Sequence, residues 1–136
     1  MSDFSERTIL AAVAWPYSNN HLHMGHIAGA YLPADIFSRY QRMRGHRVLM
    51  VSGSDSHGTP VTVRAEAEGI TPEDVFNRYH ASFLDTFQRL GISFDLFTST
   101  NTRNHMEVTQ DFFLTLMKKE LLYEAEQTLL FDPEVQ

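Results

Sequence analysis

Two short stretches of this sequence hold a concentration of residues able to bind a proton or a charge near neutral pH. His21, His23 and His26 fall in His-Leu-His-Met-Gly-His, and Asp55 and His57 in Asp-Ser-His-Gly, so four of the chain's seven histidines lie in two segments. Three readings compete for them. The first assigns no chemistry: exposed loops collect polar side chains, and histidine is common where a loop enters a helix. The second is metal ligation, with His21-x-His23 as the alternating imidazole pair of a metal-dependent hydrolase and Asp55 or His57 completing the site. That reading puts the pair after a turn instead of on a strand, and leaves Gly25 without a role. The third seats a phosphate ester at the start of a helix, where unpaired N–H groups and the positive dipole end face the ligand. His23 and His26 are three apart and share a face of that first turn, and Gly25 between them keeps a side chain off the backbone. Chemistry at a nucleotide phosphate needs placed donors for charge spread over oxygens, and no covalent intermediate.

The surrounding elements would bring the two stretches together. Thr8 to Trp15 is a nearly continuous apolar run that ends at Pro16, as expected of a strand buried on both faces of a parallel sheet. Turn formers follow from Pro16 to Asn20. A helical pattern runs from about Met24 to Gly45, with Ile27, Tyr31, Ile36, Phe37 and Tyr40 available for one face and Pro33 expected to kink or split it. His46 to Ser52 reads as a second strand, followed by the polar loop Gly53-Ser54-Asp55-Ser56-His57-Gly58. Strand, loop, helix, strand, loop is the opening of a βαβ unit. Both polar loops then lie at the carboxyl ends of strands, where doubly wound sheets bind ligands.

Downstream, Val61 to Glu68 reads as a short helix stopped by Gly69. Thr71 is a predicted N-cap, with Pro72 at the first helical position and acids in the first turn. The apolar positions of that helix are Phe76, Tyr79, Phe83, Phe87 and Leu90, with Gly91 as its end. Ile92 to Thr98 reads as a third strand, Thr102 to Lys119 as an amphipathic helix, and Leu129-Leu130-Phe131 as the start of another strand before a turn at Asp132-Pro133-Glu134. The pattern is one α/β unit, interrupted before the last strand is answered by a returning element, so the chain is expected to be a fragment.

Composition narrows the function classes. The chain has 136 residues, 43% hydrophobic and 21% charged, enough apolar material for a packed core. Its net charge of −6 argues against a face built mainly for phosphate backbones. With no cysteine, disulfides and thiolate zinc sites are excluded from this stretch. The apolar run before Pro16 is far short of the roughly 20 residues that a bilayer span needs, and no basic region precedes it. The expectation is a soluble, cytoplasmic protein with no membrane partner.

His23-Met24-Gly25-His26 matches the His-x-Gly-His signature of class I aminoacyl-tRNA synthetases and related nucleotidylyltransferases. The flanks extend the match: Trp15-Pro16-Tyr17-Ser18-Asn19-Asn20-His21-Leu22 before it resembles the subgroup that activates methionine, leucine, isoleucine and valine. Tyr40-Gln41-Arg42-Met43-Arg44-Gly45-His46 and Gly53-Ser54-Asp55-Ser56-His57-Gly58-Thr59-Pro60 resemble the methionyl-tRNA synthetase family in particular. Gly69-Ile70-Thr71-Pro72 and Ile92-Ser93-Phe94-Asp95 continue the similarity, which runs from about Thr8 to the end of the chain.

The resemblance implies a Rossmann-like parallel sheet with flanking helices, the first half of a class I synthetase catalytic domain. It implies a ligase that joins methionine to ATP as methionyl-adenylate and passes the methionyl group to tRNA, with Mg2+ accompanying ATP. By that similarity His23 and His26 are catalytic and hold ATP phosphates, and Gly25 lets adenine lie on the backbone. Asp55 binds the substrate ammonium, and Ala14, Trp15 and Tyr17 line the methionine pocket. His21, His57 and Asn19 are expected to support loop structure. No residue of the chain is assigned to a metal. Residues 1–136 would then stop before the family's zinc knuckle, its Lys-Met-Ser-Lys-Ser loop and its anticodon-binding domain, leaving zinc and most tRNA contacts to residues outside this chain.

Two positions depart from the family pattern. Asn20 stands where glycine is usual, and is expected to tolerate a left-handed backbone at some cost. Trp15 stands where some relatives have leucine. The chain alone is expected to be inactive, with an exposed sheet edge and an uncovered apolar face. Two other functions remain open: a non-catalytic module that binds a nucleotide or a partner, and a sister synthetase for leucine, isoleucine or valine.

Overall fold

The structure, a computed structural model, describes residues 7–128. The elements run β1 (Thr8–Ala12), α1 (Met24–His26), a π-helical turn (Ile27–Tyr31), α2 (Leu32–Met43), β2 (Arg47–Ser54), α3 (Thr59–Glu68), α4 (Pro72–Leu90), β3 (Leu96–Ser99) and α5 (Arg103–Lys118). They fall into two compact units, Met1–Thr100 and Asn101–Gln136, where the sequence reads as one. The strand and turn expected over Leu129–Glu134 lie outside the described residues.

The first unit is built on a parallel sheet in the order β1-β2-β3. Its register pairs Thr8 with Arg47 through Ala12 with Val51, and Val51 with Leu96 through Ser54 with Ser99. On one face Ala11, Val13, Met50 and Phe97 meet Ile27, Tyr31, Phe83, Phe87 and Ile92 in a single apolar cluster. Leu10, Leu49 and Leu96 on the other face are 65%, 50% and 55% exposed. The first strand is therefore covered on one face, not two. Right-handed crossovers between strands that advance in one direction place successive helices on the same side of a sheet. The apolar face expected to stand uncovered is present.

The helical run from Met24 to Met43 bears on two expectations. Pro33 does not split it, and the irregularity expected there is the π-helical turn immediately before α2, in which the Leu32 N–H donates to the carbonyl of Ile27. That wider turn accommodates a ring that would otherwise crowd the preceding carbonyl. The buried face also differs: Ile27, Tyr31, Asp35 and Ser38 point inward, whereas Ile36, Phe37 and Tyr40 are exposed. A helical face that begins at Ile27 and Tyr31 continues through 34, 35 and 38; the Ser38 hydroxyl on it is buried without a hydrogen-bond partner, whereas Asp35 is bonded. Asp35 accepts hydrogen bonds from Arg39 Nε at 2.6 Å and from the Ser93 amide at 3.1 Å, tying α2 to the segment before β3.

α4 starts as expected, with Thr71 and Asp74 forming a reciprocal capping box, and it buries Val75, Phe76, Tyr79, Phe83 and Phe87 while leaving Leu90 out. Gly69 and Gly91 end α3 and α4 at φ of 65° and 68°, in the left-handed conformation that glycine adopts without strain. α3 begins at Thr59, two residues earlier than expected, and β2 continues through Ser54. β3 starts at Leu96, not Ile92. The reason is Asp95, whose carboxylate accepts the Met50 amide at 2.6 Å and Arg42 Nη2 at 2.7 Å. A side chain there takes the bond that a strand backbone would have made.

The second unit contains α5, which Thr102 caps by accepting the His105 amide at 3.2 Å. No helix among the described residues is long and apolar enough to cross a membrane.

Candidate active site

The two polar loops meet at the carboxyl ends of β1 and β2. Beyond β1 the chain stays extended: the Asp55 amide donates to Pro16 O at 2.8 Å and the Ser18 amide to Asp55 O at 2.9 Å, making an isolated parallel bridge between Tyr17 and Asp55. This bridge holds the residues expected to bind an amino acid beside one another. Ala14 is fixed through its carbonyl, which accepts from Tyr31 Oη at 3.2 Å and Ser52 Oγ at 3.4 Å. Burial pushes the Tyr31 phenol well above its ordinary value, so it remains a donor.

Two glycines make room for the aromatic residues. A Cβ on Gly53 would lie 2.7 Å from Trp15 Cη2 and Cζ3, and one on Gly58 would overlap the Tyr17 ring. Trp15 and Tyr17 are 39% and 49% exposed, so each is partly covered and partly open to solvent. Both glycines belong to the Gly-Ser-Asp-Ser-His-Gly segment, Gly53 at the end of β2 and Gly58 in the loop beyond it, so the second stretch seats the aromatics of the first.

His23 and His26 stack, with ring centroids 3.8 Å apart and planes inclined by 26°. The spacing of three puts them on one face as expected. What the sequence does not reveal is that the two rings cap the helix themselves. His23 Nδ1 accepts the amides of Gly25 at 3.0 Å and His26 at 3.4 Å, and His26 Nδ1 accepts the amide of His23 at 3.3 Å. This is a capping box made of two imidazoles. It corrects one expectation: the Gly25 and His26 amides are occupied by His23 and do not wait for a phosphate.

The caps decide the tautomer. A neutral imidazole has one N–H and one acceptor nitrogen, and here Nδ1 accepts in both rings, so the proton is on Nε2. Each ring of the stacked pair is left with one Nε2–H to donate. Burial first, and the neighbouring His23 second, hold His26 below the ordinary imidazole pKa. Gly25 has a second, local reason as well: a Cβ there would lie 2.9 Å from His23 Cε1 and 3.0 Å from Nδ1, in the space of the capping ring.

A cavity of about 250 Å³ is lined by Pro16, Tyr17, Asn19, Asn20, His21, Leu22, His23, His26 and Phe83. It brings Tyr17 to the two signature histidines, whereas Ala14, Trp15 and Asp55 are joined to it through the Tyr17 bridge without lining it. His21 turns away to α4, with Nδ1 2.7 Å from Ser82 Oγ and its ring edge-on to Tyr79. His57 contributes its backbone amide, 3.0 Å from Asp55 Oδ1. Among the described residues no group of three or more His, Asp or Glu is gathered as a metal site would need. Asn20 takes no left-handed backbone, Glu120 being the non-glycine residue with positive φ among those described; its Oδ1 accepts the His21 amide at 2.8 Å. The departure from glycine is accommodated without backbone strain.

Sequence reasoning missed three residues near the site: Ser82, His80, whose Nδ1 lies 2.6 Å from Ser54 Oγ, and Thr100. Thr100 Oγ1 is 2.8 Å from both the amide and the hydroxyl of Ser56 and 3.3 Å from Asp55 Oδ1. Its position at the carboxyl end of β3 was the available signal, since a third loop there adjoins the other two.

The parallel α/β sheet with a helix start and a stacked histidine pair at its carboxyl edge is the architecture of the class I synthetase fold. The family model described as tRNA synthetases class I (M) matches residues 9–136, and the chain belongs to that family. Among curated proteins it is 69% identical over 116 residues to the methionine–tRNA ligase of Roseiflexus castenholzii, covering 85% of this chain and 20% of that protein. It is 62% identical over 124 residues to that of Thermomicrobium roseum, covering 91% and 21%. The chain thus spans about a fifth of the length of these relatives.

Among solved structures, Mycobacterium tuberculosis methionyl-tRNA synthetase in complex with methionyl-adenylate superposes with a TM-score of 0.78 at 26% identity, over 85% of this chain and 22% of that one. The Agrobacterium radiobacter K84 agnB2 LeuRS in its ternary complex with tRNA and LeuAMS gives 0.80 at 28%, over 90% and 16%. Backbone likeness alone therefore does not separate the methionine from the leucine enzyme.

Proposed function

We propose that the protein containing this chain activates methionine with ATP and transfers the methionyl group to tRNA in the cytoplasm. The observation that carries the chemistry is the imidazole capping box, which stacks the His23 and His26 rings at the helix start with each Nδ1 turned to the backbone. The methionine carboxylate attacks the α-phosphorus in line, a new P–O bond forms, and the bond to the bridging oxygen of pyrophosphate breaks. The negative charge that builds on the phosphate oxygens is met by His23 and His26. These donors are held in place before the reaction, so no reorganisation is needed as charge develops. Asp55 takes the substrate ammonium in a charge-assisted bond, and Ala14, Trp15 and Tyr17 surround a thioether that packs well against aromatic faces.

Gly25 serves two purposes in this reading, giving the capping ring its space and letting adenine approach the backbone. Mg2+ would accompany ATP. A thiolate zinc site does not fit this chain, which has no cysteine, and would require residues elsewhere in the protein. Recognition of tRNA is likewise proposed for segments beyond this acidic one.

The test is ATP–pyrophosphate exchange on the full-length protein with methionine, leucine, isoleucine and valine supplied separately. Exchange with methionine alone is expected. Exchange driven by one of the others would reassign the protein to a sister synthetase, and no exchange with any of them would favour a non-catalytic binding module. The 136-residue chain by itself is expected to give none.

A further inference from the structure

Thr100 lies at the end of β3, three residues past Phe97 and outside every stretch in which the sequence concentrates chemistry. Its hydroxyl nevertheless closes a hydrogen-bond chain onto the carboxylate beside the site. The direction of that chain follows from valence. A carboxylate can only accept, so the Thr100 hydroxyl proton goes to Asp55 Oδ1 at 3.3 Å. Having given its single proton, Thr100 Oγ1 can only accept from Ser56, and it does so twice, from the amide and from the hydroxyl, each at 2.8 Å. One donation and two acceptances fill the capacity of a hydroxyl. The Thr100 amide meanwhile donates to Ser54 O at 3.1 Å, fixing the threonine to the strand end that carries Asp55. The His57 amide is the other donor on Oδ1, at 3.0 Å. Both donors converge on one oxygen of the carboxylate.

We propose that Thr100 is a positioning residue, which sets the rotamer of Asp55 through Oδ1 so that the carboxylate is aimed at the ammonium group of the amino-acid substrate. This rests on the reading that Asp55 binds that ammonium. The partly buried setting of the Thr100 bonds limits their replacement by water, and a bond to a charged group is the stronger kind. Holding Asp55 in one rotamer acts on binding of the amino acid and leaves the phosphate donors, His23 and His26, as they are.

The experiment compares Thr100→Val, Thr100→Ala and Thr100→Ser in the full-length protein by pyrophosphate exchange, with Asp55→Asn in parallel and thermal unfolding of each. Thr100→Val and Thr100→Ala are expected to raise KM for methionine about tenfold, with KM for ATP and kcat changed less than about twofold. Thr100→Ser, which keeps the hydroxyl, is expected to restore KM to within about twofold. The proposal is overturned if either hydroxyl-free variant leaves KM for methionine unchanged, if the serine variant is as impaired as the valine one, if KM for ATP rises in step, or if neither hydroxyl-free variant folds. Asp55→Asn separates the two levels. If it leaves KM for methionine unchanged, the ammonium role of Asp55 fails, and the proposal with it. If it raises KM while the hydroxyl-free variants do not, the role of Asp55 stands and that of Thr100 falls.

Discussion

Replacing Gly25 with alanine separates stability from catalysis at the helix start. The added Cβ would lie 2.9 Å and 3.0 Å from two atoms of the His23 ring, closer than unbonded carbons rest. His23 is exposed on its outer side and can swing away, so the strain resolves by moving the ring and not the backbone. Two acceptances at Nδ1 and the 3.8 Å stack on His26 are then lost together. Loss of an N-cap costs about 1 kcal/mol. Exchanging glycine for alanine in a helix returns up to about 1 kcal/mol, so the two effects nearly cancel and Tm should shift by no more than a few degrees. The reaction has no such compensation. A donor displaced by about 1 Å can cost on the order of a hundredfold in rate, and that loss should appear in kcat of pyrophosphate exchange by the full-length protein. A methyl group that merely obstructed adenine would instead raise KM for ATP and leave His23 in place. A crystal structure of Gly25→Ala with the His23 ring unmoved, or a kcat within about threefold of wild type, would refute the reasoning.

Two further outcomes follow from the same geometry. His26 should titrate by NMR below the ordinary imidazole value of about 6.5, and His23→Gln should raise it only partly, because burial is the larger cause of the shift and the charge of His23 the smaller. Since the unfolded chain takes up this proton at higher pH than the folded one, the associated stability is complete above about pH 6.5 and declines as pH falls through that window; urea unfolding at pH 7.5 and 5.5 measures it. Gly53→Ala and Gly58→Ala should diverge. At Gly53 the new Cβ meets the Thr98 carbonyl 2.8 Å away in the paired strand, which cannot yield, and about 1–3 kcal/mol of stability should be lost on thermal unfolding. At Gly58 the obstacle is the half-exposed Tyr17 ring, which can move, so Tm should hold while KM for methionine rises.

The sequence by itself was sufficient for the order of the elements, the capped start of α4, the parallel sheet and the position of both polar loops. Each is encoded locally: apolar runs of strand length, Thr71 before Pro72, glycine after a helix, histidines three apart. The family signature was legible for the same reason, being a run of neighbouring residues. What depended on tertiary structure was every relation between distant segments. Asp95 displaced the start of β3 by bonding the Met50 amide from 45 positions away, and Asp35 turned a polar face of α2 inward by bonding the Ser93 amide.

At the site the same division holds. Residue types and spacing placed His23, Gly25 and His26 together, yet nothing in a list of residues shows that the rings cap their own helix and so carry their protons on Nε2. Thr100 was invisible because its partners, Asp55 and Ser56, are 45 and 44 positions away and meet it only when β3 lies down beside β2. A hydrogen bond is a statement about distance in space. Sequence determines which donors and acceptors exist, and packing decides which of them face one another.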